Sequence, residues 1–314
     1  MIEMRWARPT DREAIIDFID YVFSKAHQPH DFATLLPKLY GDDADTTQHH
    51  FIILEDGRIV ASILAYPVAA TLNGQRIMTI GVGSVSVHPR ARSRGYMQHL
   101  LGAVDQRAAE TDAAYAVLGG QRQRYGYYGY SFSGMHMNGE LTTDNVRHAL
   151  RSADTAGYTL APMTQEHVPA ALALHQAQPC FCERSEADFL RILRSWTSSP
   201  YAILHDGTLV GYAALRESDE PCHVGELNAA DTHLPAALKL LSGRFGDLAI
   251  TCAPWQTALA GILSEICDDF SISCDHAYKF YHPERVHAAL GVGRLSFSGF
   301  AQPLPLCTPS PDCV

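Results

Sequence analysis

A pattern of residues occurs twice in this chain, and it limits the folds open to it. Phe51-Ile-Ile-Leu-Glu-Asp-Gly-Arg-Ile-Val60 is matched 150 positions later by Tyr201-Ala-Ile-Leu-His-Asp-Gly-Thr-Leu-Val210. Each reads as a strand, an Asp-Gly turn and a second strand, with glycine supplying the positive φ that the turn needs. Upstream, Met4-Arg-Trp-Ala-Arg-Pro-Thr10 faces Tyr158-Thr-Leu-Ala-Pro-Met-Thr164 at an offset of 154, and each leads into a helical pattern. In the first copy Thr10 and Glu13 have the spacing of a capping box, ahead of Ile15, Ile16, Phe18, Ile19, Val22 and Phe23 at helical spacing. Asp-Gly hairpins are common, so one match is weak. Strand, helix and hairpin in one order at nearly one offset predict two copies of one fold. The boundary is expected near 141–157, where Thr142-Thr-Asp-Asn and Ser152-Ala-Asp-Thr-Ala-Gly157 are turn-rich. The predicted domains are 1–145 and 155–290, with a proline-rich C-terminal extension at 291–314.

A length of 314 residues has room for two such domains. The net charge of −10 argues against a nucleic-acid or anionic-membrane binder. No apolar run reaches membrane-span length, and the N-terminus lacks a signal-peptide core, which predicts a cytoplasmic protein. Arginines outnumber lysines 20 to 4. That preference suits phosphate recognition, but genome composition explains it as well and carries more weight. All eight cysteines lie beyond residue 179, and only Cys180 and Cys182 are close. No zinc spacing is completed, so buried thiols are the better reading.

One stretch distinguishes the copies. Val85-Ser86-Val87-His88-Pro89-Arg90-Ala91-Arg92-Ser93-Arg94-Gly95-Tyr96-Met97-Gln98 passes from an apolar strand through a proline into a turn with three arginines and a glycine. A helix follows at once, with Met97, Leu100, Leu101, Val104 and Ala108 on one face. First-turn amides have no intrahelical partner and the helix dipole is positive there, so this turn suits an anion such as a pyrophosphate. Gly95 lets backbone approach it closely. A merely solvated turn is the plain alternative. In the second copy Val224-Gly-Glu-Leu-Asn-Ala229 is the matching strand, and Ala230-Asp-Thr-His-Leu-Pro235 follows it with neither arginine nor glycine. That copy is expected to be degenerate.

Arg92-Ser93-Arg94-Gly95-Tyr96-Met97 resembles the acetyl-coenzyme A loop of the Gcn5-related N-acetyltransferases (GNAT), Arg/Gln-x-x-Gly-x-Gly/Ala after a strand, with Met97 in place of the last small residue. Further on, Tyr115-Ala-Val-Leu118 reads as a buried strand ending in Gly119-Gly120. Tyr125, Gly129 and Tyr130 then fall on the family's Tyr-x-x-x-Gly-Phe/Tyr segment. The Eis-like branch is the most similar, since it tolerates a bulky residue at the place of Met97 and carries more than one acetyltransferase-like domain. The resemblance covers about 4–140 well and 158–285 more weakly.

The resemblance implies a tandem GNAT fold of the α/β class with mixed sheets, its second copy degenerate, and an N-acetyltransferase with acetyl-CoA as co-substrate, no metal, and direct attack by a primary amine. Main-chain groups of Val85, Ser86 and Val87 would meet the pantetheine arm. Amides of Ser93, Arg94, Gly95, Tyr96, Met97 and Gln98 would cradle the pyrophosphate, with Arg90, Arg92 or Arg94 adding charge. The amide of Val87 would serve the oxyanion, and Tyr125 would protonate the leaving thiolate, as a phenol with a pKa near ~10 can. Tyr127, Tyr128 and Tyr130 read as aromatic packing.

The general base has several candidates. Relatives place a glutamate on the strand before the loop, where Gly83, Ser84 and Ser86 stand here. His88 reads more readily as a structural position, Glu226 lies in the other copy, and a water chain would serve as well. In Eis-like relatives the C-terminal carboxylate reaches the site; here Val314 ends a proline-rich stretch read as a loose tail. The acceptor class is a small-molecule or peptidyl amine, and an acidic protein suits a cationic polyamine or aminoglycoside. The family's habits also imply a homo-oligomer. Without a placed base, a non-catalytic acyl-CoA-binding or regulatory protein stands as the second reading, and a chain that binds no CoA as the third.

Overall fold

The computed structural model describes residues 1–26, 28–274 and 276–291. The extension expected at 291–314, Val314 included, lies outside the described residues after Gly291. The strands are β1 (Ile2–Trp6), β2 (His50–Glu55), β3 (Arg58–Leu72), β4 (Gln75–Val87), β5 (Tyr115–Gly119), β6 (Ser131–Ser133), β7 (His136–Leu141), β8 (Tyr158–Pro162), β9 (Cys180–Cys182), β10 (Ser199–His205), β11 (Thr208–Arg216), β12 (Cys222–Ala229), β13 (Leu248–Cys252), β14 (Asp269–Ser273) and β15 (His276–Phe280). The helices are α1 (Arg12–Ala26), α2 (Phe32–Leu35), α3 (Pro37–Tyr40), α4 (Tyr96–Glu110), α5 (Arg122–Gly126), α6 (Thr143–Ala149), α7 (Val168–Gln176), α8 (Glu186–Leu193), α9 (Leu234–Phe245), α10 (Thr257–Ile266) and α11 (Pro283–Ala289).

Two compact units result, one of Met1–Gly134 with residues 276–291, the other of Met135–Cys274. The sheet of the first unit runs β1-β2-β3-β4-β5-β15-β6, and that of the second runs β8-β10-β11-β12-β13-β7-β14. In each, the central contact (β4 with β5, β12 with β13) is parallel. The other contacts on these paths are antiparallel. The duplicated pattern predicts two such copies, and the mixed α/β architecture is the one the family resemblance implies.

Position for position the two orders agree, with one exchange. β7 follows β6 in sequence, yet it completes the second sheet; β15 follows β14, yet it completes the first. The chain therefore passes between units at 134/135 and again at 274/275, where a single crossing near 141–157 was expected. β7 leaves the expected 1–145 domain, and β15 with α11 leaves the expected 155–290 domain. Side chains fit each strand to its place. At Gly139 of β7 a Cβ would stand 2.6 Å from the Sγ of Cys267, so that place in the second sheet takes glycine. β15 brings Tyr278 and Phe280 onto Tyr115 of β5, with ring centroids 5.6 and 5.9 Å apart.

The first core lies between its sheet and α4, where Leu100, Leu101, Val104 and Ala108 pack with Ile53, Ile63, Ile80 and Val82. The second repeats it, with Leu234, Ala237, Leu238 and Leu241 of α9 against Ile203, Leu215, Val224 and Leu248. Full burial of each large side chain contributes about 1.5–3 kcal/mol. α1 buries Ile15, Phe18, Ile19 and Val22 as its spacing predicts. Its start differs from the expected Thr10/Glu13 box. A 3-10 turn over Pro9–Asp11 precedes it, and the Asp11 carboxylate accepts the Arg8 N–H at 2.6 Å. The Arg5 guanidinium on Asp11 holds that carboxyl below its ordinary value. Burial pushes the Cys252 and Cys267 thiols up to about 11. Among the described residues no helix is long and apolar enough to cross a membrane, and no cluster of His, Cys, Asp and Glu could hold a metal ion.

Two histidines couple the first core to pH. Burial pushes His50 down to about 3, and burial together with the Arg107 guanidinium pushes His49 down to about 4. The unfolded chain takes up protons on both as pH falls through about 6.5, while the folded chain does not. Stability is thus fully present above that value and is lost as pH falls toward 4, with a slope of about 1.4 kcal/mol per pH unit for each histidine. Urea midpoints at pH 7.5, 6.5 and 5.5 measure the loss, and His50→Gln is expected to remove that residue's share of the slope.

Candidate active site

β4 and β5 are paired only over residues 79–81 and 115–117. β4 then continues to Val87, held on its other side by β3 as far as the Ala61–Val87 pair. A bulge accompanies this parting. Ser62 pairs with Ser86 and Leu64 with Gly83, so Ser84 and Val85 together face the single residue Ile63. Ser84 takes φ +51. A bulge bends its strand and raises the local twist, which turns β4 away from β5 and opens a gap.

The ladder fixes what faces that gap. The His88 N–H donates to the Val60 carbonyl at 2.8 Å. Bonded and non-bonded pairs alternate along an antiparallel ladder, so the N–H and C=O of Val87 point away from β3 and into the gap. Val85, two residues earlier, shares that direction. Ser86 does not. It bonds into the β3 ladder, it is 1% exposed, and its hydroxyl donates to the Ser84 carbonyl at 3.0 Å. Of these three strand residues, Val85 and Val87 turn their main chain away from β3, and Ser86 is bonded into the β3 ladder.

The loop follows through a 3-10 turn over Pro89–Ala91. His88 caps that turn, its Nδ1 accepting the Arg90 N–H at 3.1 Å, and its ring stacks on Tyr21 at 5.5 Å and 16°. It is a structural residue. Ser93 and Gly95 take φ +64 and +77, and Gly95 is the N-cap of α4. A Cβ on Gly95 would meet no atom within 4 Å, so backbone geometry calls for the glycine and the space beside it is open. Arg92, Ser93 and Gln98 are exposed.

Arg94 is held elsewhere. Its guanidinium donates to both oxygens of Glu55 at 2.7 and 2.9 Å, and the Tyr96 hydroxyl donates to the same carboxylate. Those two donors, the tyrosine foremost, hold the Glu55 carboxyl below its ordinary value. Arg94 and Tyr96 thus brace the loop against the end of β2. Met97 is half-buried against the core cluster, which accounts for a large residue where the family has a small one. Glu55 was not recognised in the sequence as a site residue, although a signal exists. It precedes the first Asp-Gly turn, and the copy without the loop has His205 in its place.

Tyr125 sits in the short α5 after β5 and is 6% exposed. Its ring meets Tyr130 edge-on at 6.2 Å. On its other side is Gly120, at φ +153, where a Cβ would stand 2.6 Å from Cε2 of Tyr125. Burial pushes the Tyr125 phenol up, with Arg124 pulling the other way. Tyr125 shares one apolar cluster with Val85, Val87, Met97 and Leu118. Tyr128 and Tyr130 pack as expected, but Tyr127 is 90% exposed. A groove of about 680 Å³ runs along α4, lined by Gln98, His99, Gly102, Asp105, Tyr127 and Tyr128 among others.

The second unit repeats the bulge and the gap without the loop. Leu215 pairs with Val224 and Ala214 with Glu226, leaving Gly225 as the extra residue, and β12 pairs with β13 only over residues 222–224. Glu226 is clamped by both terminal nitrogens of Arg184 at 2.9 Å and by the Tyr212 hydroxyl at 2.6 Å. A carboxylate so engaged is poorly suited to accept a proton. The turn over Asp231–His233 leads into α9 without a left-handed residue.

Residues 3–133 match the family model described as an acetyltransferase (GNAT) domain. These residues belong to the GNAT superfamily. The matched stretch ends with β6, before the strand exchange, and supports acyl transfer as the chemistry of these residues. Solved structures share the fold across both units. A probable N-acyltransferase from Enterococcus faecalis V583 superposes with a TM-score of 0.71 at 14% identity, covering 90% of this chain and 73% of that one. A GCN5-related N-acetyltransferase from Kribbella flavida gives 0.70 at 16% identity, covering 92% and 74%. Eis1 from Mycobacterium abscessus gives 0.66 at 16% identity, covering 91% and 76%, so the Eis-like fold is shared as well. Comparison with curated proteins by sequence gives no match.

Proposed function

We propose that the GNAT domain transfers the acetyl group of acetyl-CoA to a primary amine. The observation that carries this reading is the gap between β4 and β5, with the main chain of Val85 and Val87 turned into it and Tyr125 in the same cluster. An amide-bearing arm in that gap would pair like an added strand. The amides of residues 93–98 at the start of α4 suit the pyrophosphate, with the exposed Arg90 and Arg92 supplying charge. The amine nitrogen attacks the thioester carbonyl while the Val87 N–H stabilises the oxyanion. The C–N bond forms and the C–S bond breaks. The nitrogen gives up a proton to water, and the sulfur takes one from Tyr125, whose burial keeps the phenol protonated. Positioning alone can contribute about 7–11 kcal/mol.

A chain of net charge −10 favours cationic acceptors, so the test uses spermidine, kanamycin, tyramine and a lysine peptide. Thiol release from acetyl-CoA is followed with each amine, and CoA binding is measured separately by calorimetry. Neither turnover nor binding would remove the reading. Binding without transfer to any amine would select a non-catalytic acyl-CoA-binding protein, a reading favoured by Glu226 being clamped and His88 stacked. In the same titration Arg92→Ser is expected to raise the Kd for CoA about tenfold and to flatten its salt dependence, as loss of one charge-assisted contact does.

A further inference from the structure

A line of polar side chains runs through the first unit to the bulge of β4. The Tyr40 hydroxyl lies 2.6 Å from the Oγ of Ser84 and 3.2 Å from Nε2 of His50, whose Nδ1 lies 3.1 Å from the Oγ of Ser62. Tyr40, His50 and Ser62 are 2%, 1% and 0% exposed, while Ser84, at the end of the line and on the part of β4 beyond its pairing with β5, is only half-buried. Tyr40 is itself fixed, since the Arg12 guanidinium donates to the carbonyls of Tyr40 and Gly41 at 2.9 and 2.7 Å. A polar line is an expensive way to fill a core that apolar side chains could fill, and it is tolerated only when every member is bonded. Ser84 adds a second cost. Its φ of +51 is one that glycine adopts freely and serine does not.

We propose that Ser84 accepts a hydrogen bond from the attacking amine, and that Tyr40, His50 and Ser62 are positioning residues that hold its hydroxyl for that task. The inference rests on the acetyl-transfer reading above. With the proton on Nδ1, His50 donates to Ser62 and its Nε2 accepts from the Tyr40 hydroxyl. The Tyr40 oxygen then accepts from Ser84, which leaves the Ser84 lone pairs to accept from a donor. An amine that donates one N–H there keeps its own lone pair for the thioester carbonyl. Burial keeps His50 neutral, so the line orients the nucleophile and stores no proton.

The test compares Ser84→Ala, Ser84→Gly and Tyr40→Phe with wild type, using the amine from the panel that is turned over fastest. Each variant is expected to raise the KM for the amine about tenfold, the effect of one lost hydrogen bond. The KM for acetyl-CoA should stay within about twofold, and the acid limb of the pH profile should not move in Tyr40→Phe. Ser84→Gly relieves the backbone conformation, so an equal defect in the glycine and alanine variants assigns the effect to the hydroxyl. An amine KM unchanged by either Ser84 variant overturns the proposal, as does a rise in the acetyl-CoA KM that parallels it in Tyr40→Phe. A wild type that binds CoA yet acetylates no amine overturns it too, whereas failure to bind CoA removes the reading beneath it.

Discussion

Tyr125→Phe is expected to lower kcat by about 10²–10³-fold, within the range for loss of a positioned general acid. The KM for acetyl-CoA should stay within about twofold. The substitution keeps the ring, and the ring makes the contacts with Gly120 and Tyr130, so the thermal midpoint should hardly move. Burial raises the phenol pKa, so a wild-type enzyme that needs the protonated form keeps its activity through neutral pH and loses it only above the ordinary tyrosine range. The basic limb of the pH–rate profile should therefore vanish in the variant. Equal kcat values in the two proteins would remove Tyr125 as the acid and leave solvent to protonate the thiolate.

Gly120→Ala should do damage of a different kind. The new methyl would overlap the Tyr125 ring at 2.6 Å, and φ +153 is a conformation that alanine resists. Overpacking and backbone strain together are expected to cost about 2–4 kcal/mol, read as a lower urea midpoint. Activity should fall beyond what instability explains, because a displacement near 1 Å can cost about 10²-fold. Gly95→Ala is the informative contrast. Its Cβ would enter open space, so the positive φ is the only penalty, and stability should drop by about 1 kcal/mol. If both variants lose the same stability, contact with Tyr125 is not what Gly120 provides.

The order of elements and the position of the loop were legible in the sequence because they rest on local signals. Asp-Gly turns, a 3.6-residue apolar period and a proline between strand and helix each report on a few neighbouring residues. Tyr125 was legible for a similar reason, through its spacing to Gly129 and Tyr130. What stayed hidden depends on partners far apart along the chain. Glu55 meets Arg94 across 39 positions, and Tyr40 meets Ser84 across 44. The φ of +51 at Ser84 is equally invisible, since serine gives no warning of it. The places of β7 and β15 are hidden for the same reason, because nothing local to a strand says which of two similar gaps it will fill.

That exchange has a consequence for synthesis. β5 and β6 leave the ribosome without the strand that belongs between them, and β15 emerges only about 140 residues later. At roughly 5–20 residues per second, those two edges wait on the order of 7–30 s with unpaired backbone groups. The unit made first is thus the last to be finished, and a fragment stopped at Gly134 should expose those edges and self-associate, while the full chain closes them itself.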